Sequence, residues 1–511
     1  MKKFVFVLAA LAVAAVACEK PEPEVPDTTP AELLSFKILA ADNEGLDVDY
    51  VAETIEQSMV IRIPGGGQGK TLKATLTAGE NDEIKVNEVA VTDGKASFDA
   101  SYPVDIVVTN TKSKKSAQYE VKIGKILQIV TKKLATLPAS EGMVYTNSSY
   151  QAAINPKTGE LWVAYSFTPA GSVKNIGVKK YSNGEFVQVG VEGIVPAPAE
   201  GSPIATSNIA DLAFDASGDA YLLYYAGDAK NTLTLRKFDG TTWNPVGKTG
   251  FSEKINFSWG NYPSIYFDAS GNPGFVYLKS TYDHGVYQFD GAEWKTGSIT
   301  GFPAYNKGGS RGSNEGIFYN GPIASINGKQ YGFFTANWYG LYVYEFSGSA
   351  WSTPIIQDYI EDGEKNMLPG NMATATKDGK ILLLATNQVA AQVQIYEFDG
   401  TATLGKYGDA IPVNVSSSGS PDVVVFGVNP TNGQIIIVKL DEESKPWFSV
   451  MDENRKWSDF VAVEGAPGSY GGIFMGFDLN GSALIVWPDK DRAQNGFPLY
   501  SIGLEEDILP E

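Results

Sequence analysis

Between residues 150 and 500 the hydrophobic positions form a repeat. Seven times a run of small and apolar residues enters a tight turn ending in glycine, and a strongly apolar run follows. The turns centre on Gly159, Gly218, Gly271, Gly328, Gly379, Gly433 and Gly481, spaced 48 to 59 residues apart. The runs after them read LWVAYSF, AYLLYYA, PGFVYLK, QYGFFTA, ILLLATN, IIIVKLD and ALIVWPD. Their composition predicts strands. Several are apolar at consecutive positions, so each needs cover on both faces.

A second turn lies farther along most repeats. It reads KYSNGEF at 180–186, KFDGTTW at 237–243, QFDGAEW at 288–294, EFSGSAW at 345–351 and EFDGTAT at 397–403. Asn-Gly, Asp-Gly and Ser-Gly suit two-residue hairpins because glycine tolerates positive φ. The aromatic before the turn is placed to pair across the hairpin with the Trp after it. Two hairpins per repeat predict four antiparallel strands, and stacked neighbours bury the two apolar faces that one sheet cannot. The expected fold is all-β, with a seven-bladed β-propeller over 126–511; a solenoid of stacked sheets is the alternative. The last repeat runs out after FPLYSIG, so a segment near 126–133 is expected to supply the outermost strand of the seventh blade.

Residues 33–125 show a different pattern: short alternating strands (SFKIL, SMVIRIP, KTLKATLTA, IKVNEVAV, VDIVVTN, AQYEVKI) separated by polar turns. This spacing predicts a small Ig-like β-sandwich. Ahead of it, EKPEPEVPDTTPAE at 19–32 has almost nothing to bury and reads as an extended tether over 18–32. The first 17 residues carry two lysines and then fourteen apolar residues ending at Cys18, the single cysteine of the chain. That stretch is too short to span a bilayer and is built like a secretory signal peptide.

The position of Cys18 after Val16-Ala17 resembles a bacterial lipoprotein cleavage site, and the acidic segment behind it resembles the surface-export signal of Bacteroidetes lipoproteins. Residues 35–39 and VVTNTKSKKSAQYEVKIG at 107–124 are similar to the N-terminal Ig-like modules of Bacteroidetes surface lipoproteins. The resemblance implies lipidation at Cys18, an outer-membrane, surface-exposed location and a spacer role for 33–125.

Charge narrows the partners. Lys and Arg total 40 against 59 acidic residues, a formal net charge of −19. With no basic aromatic stripe, nucleic acid is excluded as an expected partner. Strand order puts the longer connections of every repeat at one end, the default functional face. NFSWGNYPS (256–264), KSTYDHGVY (279–287), GFPAYNKGGSRGSNEGIFYN (301–320) and TANWYGLY (335–342) belong to consecutive repeats there. They supply Trp259, Tyr262, Tyr282, His284, Tyr305, Asn306, Lys307, Arg311, Trp338 and Tyr339 as expected ligand contacts. Flat rings beside amide and charged groups suit a glycan; the same residue types anchor an envelope or extracellular protein.

Catalytic chemistry is sparse. The one histidine, His284, has Asp283 beside it but no nucleophile at triad spacing. Asp358, Glu361, Asp362 and Glu364 lie in an acidic loop that reads as a surface turn rather than a glycosidase pair. FDASG at 214–218 and 267–271 loosely resembles a calcium or Asp-box turn but lacks the full motif, so the aspartate is expected to hold the hairpin. No cofactor is expected, and a structural calcium ion stays open. The leading reading is a non-catalytic glycan-binding surface lipoprotein. The alternatives are a glycoside hydrolase or polysaccharide lyase on the same face, or a protein-binding envelope scaffold.

Overall fold

The computed structural model describes residues 27–504 except 47, 53, 64–65, 126–128, 140–149, 169–174, 195–208, 227–231, 253–262, 281–282, 299–317, 320, 337–340, 347–350, 352–353, 360–366, 388–390, 414–422, 453 and 492–494. The chain divides into two compact units, which meet in sequence between Gln128 and Ile129. It is built almost wholly of β-strands. No helix among the described residues is long and apolar enough to cross a membrane.

The first unit holds two sheets around one core. One sheet runs in the order Tyr50–Val51, Leu33–Ile38, Thr71–Ala78, Lys95–Asp99. The other runs Ser58–Ile63, Ser116–Lys125, Val104–Asn110, Asp82–Val86, Val89–Ala90. Ser58–Ile63 alternates exposed and buried residues along its length, as a strand with one covered face must. Phe36, Ile38, Ile63, Val104, Ile106 and Val108 fill the core and are fully buried. The buried Asn43 is satisfied: its amide donates to the carbonyls of Leu39 and Lys73, and its Oδ1 accepts the Lys73 N–H at 2.7 Å.

Two details differ from the sequence pattern. IKVNEVAV is a hairpin, not one strand: Asn87 and Glu88 take φ of 47° and 68° and reverse the chain between Val86 and Val89. Lys95–Asp99, masked in sequence by its polar composition, is an edge strand beside Thr71–Ala78.

The second unit holds seven antiparallel sheets of four or five strands. The first to sixth begin at Tyr150–Ile154, Ile209–Phe214, Ile265–Phe267, Phe318–Tyr319, Met367–Lys377 and Val424–Val428, and each is formed by strands consecutive in sequence. The seventh combines Phe474–Phe477, Ala483–Val486 and Phe497–Leu504 with Ile129–Leu137 from the other end of the unit. Ile129–Leu137 pairs antiparallel with Phe497–Leu504, from Ile129 opposite Leu504 to Leu137 opposite Phe497.

Both faces of the second strands are covered. Leu161–Phe167 is buried at every position, which is why it shows no polar alternation. Its hairpin partner is reached through Gly159 at φ 71°, and the other six repeat glycines also have positive φ. Across the second hairpins the aromatic pairs form: Phe238 with Trp243 at 5.2 Å between ring centroids, Phe289 with Trp294 at 5.3 Å and Phe346 with Trp351 at 5.1 Å. These tryptophans also tie sheet to sheet. Trp243 Nε1 donates to the Val189 carbonyl of the first sheet, and Trp294 Nε1 to the Val246 carbonyl of the second.

Apolar clusters join every successive pair of sheets, from the first with the second to the sixth with the seventh. The series then closes on itself. Leu484, Val486, Phe497 and Leu499 of the seventh sheet bury against Tyr150, Leu161, Val163 and Tyr165 of the first.

Candidate functional site

The antiparallel order fixes which connections share an end. The repeat-glycine hairpins and the second hairpins lie at one end of each sheet. The connections from second to third strand, and from sheet to sheet, lie at the other. Of the expected ligand contacts, Trp259, Tyr262, Tyr282, Tyr305, Asn306, Lys307, Arg311, Trp338 and Tyr339 fall outside the described residues, as does Cys18. His284 is not in a loop. It belongs to strand Asp283–Phe289, opposite Leu278, with Asp283 opposite Ser280. Only residues 281 and 282 separate this strand from Pro273–Ser280 in sequence. Asp358 likewise lies in a strand, Ile356–Tyr359, rather than in an acidic loop; Glu361, Asp362 and Glu364 fall outside the described residues.

The described residues show how the start of the third sheet is held. Asp211, on the first strand of the second sheet, accepts the Ile265 N–H at 2.7 Å and the Leu212 N–H at 2.9 Å. Ile265 opens the first strand of the third sheet, directly after the segment 256–264 that bears Trp259 and Tyr262. Asp211 is the one carboxylate on the seven opening strands among the described residues. Burial pushes its carboxyl up to about 6, against the two amide hydrogen bonds that pull it down. Sequence reading passed over it, although an acidic residue inside IADLAF is out of pattern. Tyr150 makes a comparable tie, its hydroxyl donating to the Gly472 carbonyl just before the seventh sheet.

Two clefts open between the fifth and sixth sheets, one at each end. At the end of the long connections is a cleft of about 380 Å³ lined by Val413, Lys439, Asp441, Glu442, Trp447 and Phe460. Trp447 is half-buried, and its Nε1 donates to Asp441 Oδ2 at 2.8 Å. Lys439 Nζ lies 4.2 Å from the centre of the Phe460 ring. At the hairpin end a cleft of about 470 Å³ is lined by Lys377, Tyr407, Asn432, Gln434, Met451 and Asp452. There the Arg455 guanidinium covers the Tyr407 ring at 4.2 Å, and Lys377 Nζ donates to the Gly433 carbonyl. Neither cleft was anticipated. The available signal was Trp447, which precedes the second turn of its repeat where Trp243, Trp294 and Trp351 follow theirs.

Asp215 and Asp268 of the FDASG turns hold their hairpins. Asp215 Oδ1 accepts the Ser217 and Asp219 N–H groups, and Asp268 Oδ1 those of Ser270 and Asn272. Among the described residues no group of three or more His, Cys, Asp and Glu side chains is arranged to hold a metal ion.

No family model matches the chain, and no curated protein matches it. Solved structures do align with it. A candidate 6-phosphogluconolactonase from Bacteroides uniformis aligns at 13% identity and a TM-score of 0.43, covering 69% of this chain and 97% of that one. An ulvan lyase of a new polysaccharide lyase family, bound to -[GlcA(1-4)Rha3S]-, aligns at 11% identity and 0.42, covering 74% and 98%. A mutant of the Aleuria aurantia lectin in complex with Fucα1-6GlcNAc aligns at 14% identity and 0.35, covering 63% and 98%. At such identities and TM-scores the likeness carries nothing about ligand or chemistry.

Proposed function

We propose that residues 129–504 form a seven-bladed β-propeller whose long-connection end captures extracellular glycans without cleaving them. In this reading residues 33–125 are an Ig-like spacer, 18–32 a tether, and Cys18 the lipidated first residue of a mature protein displayed at the cell surface. The observation that supports it best is the sorting of connections. Every second-to-third-strand and sheet-to-sheet connection leaves from one end, and the segments carrying Trp259, Tyr305 and Trp338 are among them. That end also has the cleft beside Trp447. Concave surfaces lined by aromatic rings and a few polar groups are the usual form of a small-ligand site. Asp211 anchors the third sheet directly after one of these segments, which fits a platform held rigid beneath its binding residues.

The test is a glycan array probed with the purified protein, with product analysis on every responding pool. Retained, uncleaved glycan supports capture. Shortened or unsaturated products would replace capture with catalysis. An array without response, together with retention of an envelope protein, would replace it with a docking role.

A further inference from the structure

We infer that the cleft between the fifth and sixth sheets, at the long-connection end, is a subsite for a uronic acid, its pyranose ring lying on Trp447 and its carboxylate on Lys439 Nζ. The inference rests on the glycan reading for its ligand class but on none of the residues between 253 and 342.

Trp447 is the second residue of Pro446–Met451, the third strand of the sixth sheet, with Lys439 directly opposite on one side and Ala462 on the other. Ala462 is too small to cover an indole, so part of the ring stays accessible. The ring is also fixed. Its Nε1 is held by Asp441 Oδ2, while Asp441 Oδ1 accepts the N–H groups of Glu443 at 2.9 Å and Lys445 at 2.8 Å. Swinging the indole would break a bond to a carboxylate already locked by its own turn. A wall fixed in advance loses little freedom when a ligand arrives.

Lys439 is the chemical selector. Several strand lysines meet carboxylates: Lys180 meets Glu160, Lys237 meets Asp219, and Lys380 meets Glu397. Lys439 instead lies against the Phe460 ring, with no ion pair among the described residues. That contact orients the ammonium and leaves hydrogen-bond donors for a ligand. Among the described residues this half-buried ammonium has no carboxylate partner. An incoming carboxylate supplies that partner through a charge-assisted hydrogen bond. Asp441 is spent on the turn and the indole. Glu442, exposed at the rim, accepts from sugar hydroxyls and turns the ligand's own carboxylate toward Lys439. The volume of about 380 Å³ lies at the small end of ligand clefts, ~300–1,000 Å³, as suits one or two sugar rings.

The experiment is saturation-transfer NMR on the full chain with the methyl glycosides of glucuronic and galacturonic acid, their neutral hexose counterparts and acetate. At least one uronide should bind about tenfold more tightly than its neutral counterpart, about 1.4 kcal/mol. Lys439→Met should erase that preference. Trp447→Ala should abolish binding of both sugars, Trp447→Phe should keep part of it, and Lys377→Met, in the cleft at the hairpin end, should leave it intact. If Trp447→Ala does not fold, judged by its melting temperature, the Phe and Met variants carry the test. Equal binding of uronide and neutral sugar, no uronide binding, competition by acetate at the uronide's own strength, or binding unchanged in the Trp447 variants would each overturn the subsite. Uronide binding lost only in Trp338→Ala removes this cleft while leaving the glycan reading standing; silence across a full glycan array removes that reading itself.

Discussion

The side-chain amide of Asn155 donates to the carbonyl of Gly218 at 3.1 Å, tying the first hairpin of one sheet to the first hairpin of the next. Asn429 repeats the tie to Gly481 at 2.8 Å, and Lys377 makes it to Gly433 at 2.7 Å. Asn155 and Asn429 each close their own turn as well, accepting from Lys157 and Thr431 respectively. One residue therefore shapes a hairpin and fastens it to its neighbour.

Both asparagines are buried, so the two jobs can be separated by substitution. Asn429→Asp keeps the turn acceptor and removes the donor to Gly481; Asn429→Ala removes both. Leaving a buried group unpaired costs about 1–3 kcal/mol. Denaturant melts should therefore rank parent above Asp above Ala. A parent-like Asn429→Ala would show that the tie contributes nothing.

Asp211 and Asp239 should respond to pH in opposite directions. The folded-state value of Asp211 is raised to about 6, above the ~3.9 of an unfolded aspartate. Its favourable contribution is present below about pH 4 and lost as pH rises through about 6. Because Asp211 keeps some solvent contact, the swing should be about 1–2 kcal/mol. Asp239 is held down to about 2, chiefly by the amides of Thr242 and Thr241. Its contribution is present above about pH 4 and lost as pH falls through about 2. The stability difference between parent and Asp211→Asn should shrink from pH 4 to pH 7. A difference independent of pH would mean that burial does not perturb this carboxyl.

Ile129–Leu137 should be indispensable to the second unit. A chain starting at residue 126 retains it; one starting at 143 leaves the strand Phe497–Leu504 unpaired along one side, an open edge. The shorter chain should melt at a lower temperature and aggregate more. Equal melting temperatures would contradict a structural role for the early strand.

For the proposed glycan face, Trp259→Ala and Trp338→Ala should each weaken binding of a responding glycan by about 2 kcal/mol if they are anchors, roughly thirtyfold. Calorimetric titration reads this, with melting temperature measured beside it. Unchanged affinity in both variants would move the site elsewhere.

Cys18→Ser should remove the lipid and release the protein from the membrane fraction or leave its signal attached. Mass spectrometry finding an unmodified Cys18, or cleavage at another residue, would end the lipoprotein reading.

The seven sheets were legible because the repeat is written in local chemistry. A glycine that must take positive φ marks each first hairpin, and an aromatic five residues before a tryptophan marks several second ones. What escaped reading depends on contacts between repeats. That Asp211 holds Ile265 follows only once the opening strands of the second and third sheets are neighbours. That part of Trp447 stays accessible follows only once the small Ala462 is seen to be its neighbour across the strand pair. His284 read as a loop residue because Asp-His-Gly has turn composition, yet strand pairing extends through it. In the first unit, Lys95–Asp99 is polar enough to resemble a loop, as an edge strand with one wet face can be.

The pairing of Ile129–Leu137 with Phe497–Leu504 also sets an order of events. The early strand leaves the ribosome hundreds of residues before its partner, and the cluster joining the seventh sheet to the first cannot be complete until Leu499 has emerged. Until then the first sheet presents Tyr150, Leu161 and Val163 on a face that the finished protein covers. Contacts of such long sequence separation form slowly, and exposed apolar surface meanwhile invites association. Yield should therefore depend on whatever shields the nascent chain in that interval, and a ribosome stalled shortly before residue 497 should display a sticky, protease-sensitive intermediate.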